Sequence, residues 1–151
     1  DAGPDAARRA LRRVHRRAGK VLKTPESGRA HERRLHRAHD LRKAVKRLRY
    51  SLEFLRPVAD TAEAVSALKE LQGTLGRLND HANASDTLRR LAEGLERDEA
   101  ASSLDLAGGH DHSANQALDE LPGELESLHW ARLERHLKAA LRGGNGGSKA
   151  G

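Results

Sequence analysis

Apolar residues recur along the chain at spacings of three and four, the period of a helix, and no stretch alternates with the period of a strand. Ala7, Ala10, Leu11, Val14, Ala18, Val21 and Leu22 form one stripe, entered at Pro4 and closed by Thr24-Pro25, which predicts a first helix from about Pro4 to Lys23. After the turn residues Thr24 to Gly28 a second helix is predicted through to Arg56, before Pro57, with Leu41, Ala44, Val45, Leu48, Leu52 and Leu55 on one side at 100° per residue. Asp60-Thr61-Ala62-Glu63 has the form of a reciprocal cap, and a third helix follows on Val65, Leu68, Leu71, Leu75, Leu78, Ala82, Leu88, Leu91 and Leu95. Gly73 and Gly76 each cost a helix about 1 kcal/mol against Ala and are expected to admit a neighbouring helix closely. Residues 100–113 read as a connection. Ser113 with Gln116 then caps a fourth helix, which Pro122-Gly123 kinks or interrupts before Leu125, Leu128, Trp130, Leu133, Leu137 and Leu141 resume the pattern, Trp130 anchoring the core. The pattern predicts an all-α, up-and-down four-helix bundle with long helices over residues 1–142, followed by a flexible Gly-rich tail at 143–151.

The polar positions of the second helix carry a different signal. His39, Arg42, Lys46, Arg49 and Glu53 stack opposite the apolar stripe, a ladder of cations three or four residues apart. Like charges at that spacing weaken a helix by a few tenths of a kcal/mol per pair, and only Asp40 and Glu53 are near enough in sequence to relieve them. A merely solvated face normally mixes signs; this one does not, and so it asks for a polyanion. On the first helix Arg8, Arg12, Arg16 and Lys20 line up at i, i+4, flanked by Arg9, Arg13 and Arg17, with no motif residue to set their direction. Residues 1–58 hold 18 Lys and Arg against 6 Asp and Glu, whereas 59–151 hold 10 against 16, so the basic surface belongs to the first two helices.

Composition removes several classes of chemistry. There is no cysteine, hence no disulfide, thiolate metal site or cysteine nucleophile. The spacings among His31, His36 and His39 do not make the paired imidazoles of a zinc helix, and the His110-Asp111-His112 segment lacks further ligands, so no metal is expected. No apolar run approaches the roughly 18 residues of a membrane span, and a soluble chain is expected. The absence of Met, position 1 included, is what a fragment or processed product would show. With Trp130, Tyr50 and Phe54 the only aromatics, the core must be aliphatic.

The stretch from His39 to Tyr50 resembles the motif H-x-x-R-x-x-x-K-x-L-R-Y of the CHAD domain, the conserved histidine α-helical domain, met by His39, Arg42, Lys46, Leu48, Arg49 and Tyr50 and followed by Glu53 and Phe54 as in many members. Leu71-Gln72-Gly73-Thr74-Leu75-Gly76-Arg77-Leu78-Asn79-Asp80 is similar to the segment L-Q-x-x-L-G-x-x-x-D of the family's next helix. Complete CHAD domains pair two similar four-helix bundles, and this chain resembles the C-terminal one with its leading helix. The resemblance implies non-catalytic binding of inorganic polyphosphate in a bacterial cytoplasm, at polyphosphate granules, through His39, Arg42, Lys43, Lys46, Arg49 and Tyr50, with Arg12, Arg16 and Lys20 as second-rank candidates. It also implies that Asp80 holds an arginine of the second helix in place. No cofactor, metal or catalytic residue is expected, and no carboxylate set of the fused triphosphatases is present.

Two alternatives stand beside this reading: a nucleic-acid-binding helical module, since phosphodiesters attract the same cations, and a structural bundle whose basic face meets an acidic protein. As one half of a duplicated domain, the chain is expected to be a monomer or weak homodimer that tightens on a polyanion, in place of the missing N-terminal CHAD half.

Overall fold

The computed structural model describes residues 3–24, 29–57 and 60–145. Every regular element among them is a helix: α1 Pro4–Leu22, α2 Arg29–Leu55, α3 Ala62–Glu93, α4 Arg97–Glu126 and α5 Trp130–Asn145. The fold class is all-α, with five helices where the hydropathy pattern predicts four. The chain divides into two compact units, one of residues 1–72 with 122–151 and one of residues 73–121.

In the first unit α1 packs against both α2 and α5. The stripes read from the sequence face inward: Val14, Val21, Leu41, Val45, Leu48, Leu52, Leu68, Leu71 and Leu137 are sealed from solvent. Burial of each such leucine is worth about 1.5–3 kcal/mol, and an aliphatic core of this kind holds the helices without an aromatic. Trp130, expected to anchor the core, is instead half-buried at the start of α5, tilted against His15 of α1 at a ring separation of 5.1 Å. Thr61 is buried, and its hydroxyl donates to the Leu52 carbonyl at 3.0 Å while its own carbonyl receives the Val65 N–H at 2.9 Å. Thr61, not Asp60, therefore sits at the start of α3, its side chain tying that start back to α2.

The second unit is a hairpin of α3 and α4 joined through Gly94, Leu95 and Glu96. Residues 100–113 are helical, not a connection, and Ser113 lies inside α4. The reason is visible in what faces inward: Ser103, Ala107 and Ala114 are buried at helical spacing, a small-residue stripe that hydropathy does not flag. Polar bonds join this stretch of α4 to α3. Ser103 Oγ donates to the Leu88 carbonyl at 2.7 Å, Ser85 Oγ donates to Asp111 at 2.5 Å, and Arg89 pairs with the other oxygen of the same carboxylate. His81 and His110 face each other with Nδ1 atoms 2.9 Å apart, one ring donating to the other, so His110 is already engaged while His112 is exposed. Among the described residues no cluster of three His, Asp or Glu side chains could hold a metal ion.

Two further expectations change. Pro122 lies within α4 without ending it, and the break falls at Ser127–His129, where His129 takes a φ of 46° and α5 begins. A left-handed conformation costs a residue with a Cβ about 1–2 kcal/mol, and here it, not the proline, separates α4 from α5. Gly73 and Gly76 do not admit a helix: a Cβ at Gly76 would meet nothing within 4 Å, and one at Gly73 only the end of the Arg77 side chain at 3.6 Å. Of the Gly-rich segment, residues 143–145 continue α5, and 146–151 lie outside the described residues.

Candidate functional site

The apolar stripe of α2 fixes how the rest of that helix is presented. With Leu41, Ala44, Val45, Leu48, Leu52 and Leu55 buried, the side chains 80° to 160° round the helix lie at the edge of the buried face, and those beyond stand clear of it. Of the side chains at that edge His39, Arg42 and Arg49 are half-buried, whereas Lys46 is exposed, as are Lys43, Arg47 and Tyr50 beyond it. The ladder therefore has two kinds of rung. Arg49 is held: its side chain is 20% exposed, its Nε lies 3.8 Å from Glu53 Oε1, and its guanidinium carbon lies 4.9 Å from the centre of the Tyr50 ring. Lys46 reaches the same ring at 5.8 Å, so the tyrosine steadies two cations by its π-face.

Of the two acids near the ladder, one turns to α1 and the other meets only its last rung. Asp40 turns toward α1, 3.5 Å from Arg17 Nη1 and 3.8 Å from His36 Nε2. Glu53 is shared between Arg49 and Lys69 of α3, the latter at 4.0 Å. Among the described residues Arg42, Lys43, Lys46 and Arg47 have no carboxylate partner.

The α1 candidates separate from this face. Arg16 and Lys20 line a groove between α1 and α2 together with Arg17, His36, Arg37 and Asp40. Arg37 braces it, donating from Nη1 to Thr24 Oγ1 at 2.6 Å while that hydroxyl donates to the Lys20 carbonyl at 2.6 Å. Arg12 belongs to neither place: it leans toward α5, with Nη2 3.9 Å from Glu134, a carboxylate it shares with Arg8. Asp80 is exposed and within its own unit makes no ion pair.

Sequence reasoning passed over Arg47, His36, Arg37 and Phe54. Arg47 and Phe54 fall just beyond the ladder on the wheel of α2, on a stripe with Lys43 and Tyr50, and a count of face positions past 160° would have found them. Lys43, Lys46, Arg47, Tyr50, Ser51 and Phe54 together line a shallow depression on the outer side of α2. The groove residues His36 and Arg37 could not be singled out, because their role depends on where α1 docks.

An array of this kind can hold a multivalent anion by charge and direct hydrogen bonds, and it contains no nucleophile paired with a base. No helix of the described residues is long and apolar enough to cross a membrane. Comparison with known proteins adds one match and two blanks. The profile of the CHAD domain matches residues 1–89, a span that contains the whole of α1 and α2 and most of α3. No curated protein and no solved structure matches the chain. The matched span is more than half of the chain and holds both motifs, so the chain belongs to the CHAD domain family.

Proposed function

We propose that the chain binds inorganic polyphosphate, without catalysis, on the basic face of α2. The observation that supports this is the run Arg42, Lys43, Lys46 and Arg47: four cations within six residues, none with a carboxylate partner among the described residues. A helix keeps close like charges at a cost in stability, and an anion that neutralises several at once removes that cost on binding. His39, Arg42 and Arg49, half-buried beside this run, supply positioned donors, and Arg49 Nε is buried without a hydrogen bond. Polyphosphate has no base edges, so recognition rests on charge and spacing, which an α-helix face provides at regular intervals. The groove of Arg16, Lys20, Arg37 and His36 is a second anion contact on the same reading. On this proposal the protein works in the bacterial cytoplasm, at polyphosphate granules. A second CHAD bundle, or a second copy of this chain bridged by the polyanion, would supply the opposing cations.

The test is a titration of the full chain with polyphosphate, duplex DNA and an acidic protein at matched charge concentration and two salt levels. Polyphosphate should bind tightest and weaken as salt rises. Preference for duplex DNA, dependence on base sequence, or binding indifferent to salt would overturn the reading.

A further inference from the structure

Polyphosphate accounts for the cations of α2, and Tyr50 steadies two of them, but the exposed phenyl ring of Phe54 has no part in that reading. The chain has one tyrosine and one phenylalanine, and neither is in the core: Tyr50 is 49% and Phe54 63% exposed. They stand one helical turn apart and, with Lys43 and Arg47, make a stripe at i, i+4, i+7 and i+11 along the outer side of α2. A purely ionic ligand gains nothing from an exposed phenyl ring, and leaving one in water forgoes the burial that usually draws phenylalanine inward. The depression is lined by both aromatics together with Lys43, Lys46 and Arg47.

We propose that this stripe is a docking surface for an acidic amphipathic helix of a partner protein, laid along α2 with its apolar side on Tyr50 and Phe54 and its carboxylates on Lys43, Lys46 and Arg47. Three features select this occupant. The spacing of the anchors is that by which one helix receives another along its length. The cationic rim has no carboxylate partner among the described residues, so an acidic flank is complementary, whereas a second copy of the same basic face would be repelled. A nucleic-acid strand fits less well: stacking needs open ring faces, but Arg49 and Lys46 already approach the Tyr50 ring, which leaves Phe54 as the single open platform of the two. This inference does not depend on polyphosphate binding, although the two ligands would compete for Lys43, Lys46 and Arg47.

The test uses the full chain and a synthetic acidic peptide of about 20 residues, with leucines at i, i+4 and i+7 on one side and glutamates on both flanks. Its controls are a scrambled peptide of identical composition, a single-stranded oligothymidylate and polyphosphate. The patterned peptide should bind at least about tenfold tighter than the scrambled one, and Phe54→Ala should remove that advantage while Phe54→Leu retains most of it. Because Phe54 is exposed, both variants should keep the parent's helicity, and polyphosphate binding should change less than about twofold. Equal binding of patterned and scrambled peptides, or a patterned peptide insensitive to Phe54→Ala, would overturn the proposal. An oligothymidylate weakened tenfold by Phe54→Ala while the peptide is untouched would overturn it in favour of base stacking. Loss of polyphosphate binding by the parent chain would refute the functional reading alone.

Discussion

Replacing Arg42, Lys43, Lys46 and Arg47 together with Gln should stabilise the free protein and disable it. The four side chains enter four like-charged pairs at i, i+3 or i+4: Arg42 with Lys46, Lys43 with Lys46, Lys43 with Arg47, and Lys46 with Arg49. Each such pair destabilises a helix by about 0.2–0.5 kcal/mol, so their removal returns about 1–2 kcal/mol. Gln matches Lys and Arg in helix propensity, and none of the four is in the core. Loss of the Lys46 contact with Tyr50 at 5.8 Å subtracts about 0.5 kcal/mol, since the pair is exposed. For a chain of this length the net gain corresponds to a rise in Tm of roughly 2–6 °C at low salt, shrinking as salt screens the pairs in the parent. Polyphosphate titrations of the same variant should lose most of the affinity, and the slope of log K against log salt should flatten by about 3 if all four cations engage phosphates. Thermal melts by circular dichroism at two salt concentrations, with binding measured on the same preparations, give both readings. A melting point that falls, or affinity that survives in a folded variant, would refute the argument that this run is held unpaired for a ligand.

Other perturbations separate scaffold from site. Leu48→Ala, at a position sealed from solvent on the reverse of the same helix, should cost about 2–5 kcal/mol and lower Tm markedly, as checked by chemical denaturation. Asp111→Ala should destabilise the α3–α4 hairpin by about 1–3 kcal/mol, because buried Ser85 loses its acceptor and Arg89 its partner; amide exchange in residues 81–111 should quicken, and unchanged exchange would show that those bonds contribute little. Gly76→Ala should raise stability by about 0.5–1 kcal/mol, since a Cβ there meets nothing within 4 Å; a destabilised variant would show that the position needs glycine after all.

What the sequence made legible follows the chemistry that holds each part. α1 and α2 are secured by leucine, valine and alanine at helical spacing, so their extents and buried faces could be read directly, and the charges opposite those faces came with them. The α3–α4 hairpin buries Leu75, Leu78, Leu118 and Leu121 at one end, but over residues 81–111 it is joined by Ser85, Ser103, Asp111, His81 and His110, residues that look like loop or surface in any hydropathy pattern, and its helix at 100–113 was missed for that reason. Pro122 misled because a proline marks a missing N–H, not the end of the helix, and the break between α4 and α5 falls at Ser127–His129. In the site, the residues on α2 were visible because one helix orders them. The division of Arg12 from Arg16 and Lys20 was not, since it turns on Glu134 of a helix more than a hundred residues away.

The placement of Trp130 has a consequence for how unfolding can be watched. It is the chain's one indole, seated against His15 where α5 meets α1, and residues 73–121 contain no aromatic other than histidine. Intrinsic fluorescence therefore reports the α1–α5 contact and is blind to the hairpin, whereas far-ultraviolet dichroism weighs every helical residue alike. If the two units melt separately, the emission and dichroism curves will part, and the difference between them will be the transition of the hairpin alone. Coincident curves would mean that the hairpin and the first unit cooperate as one.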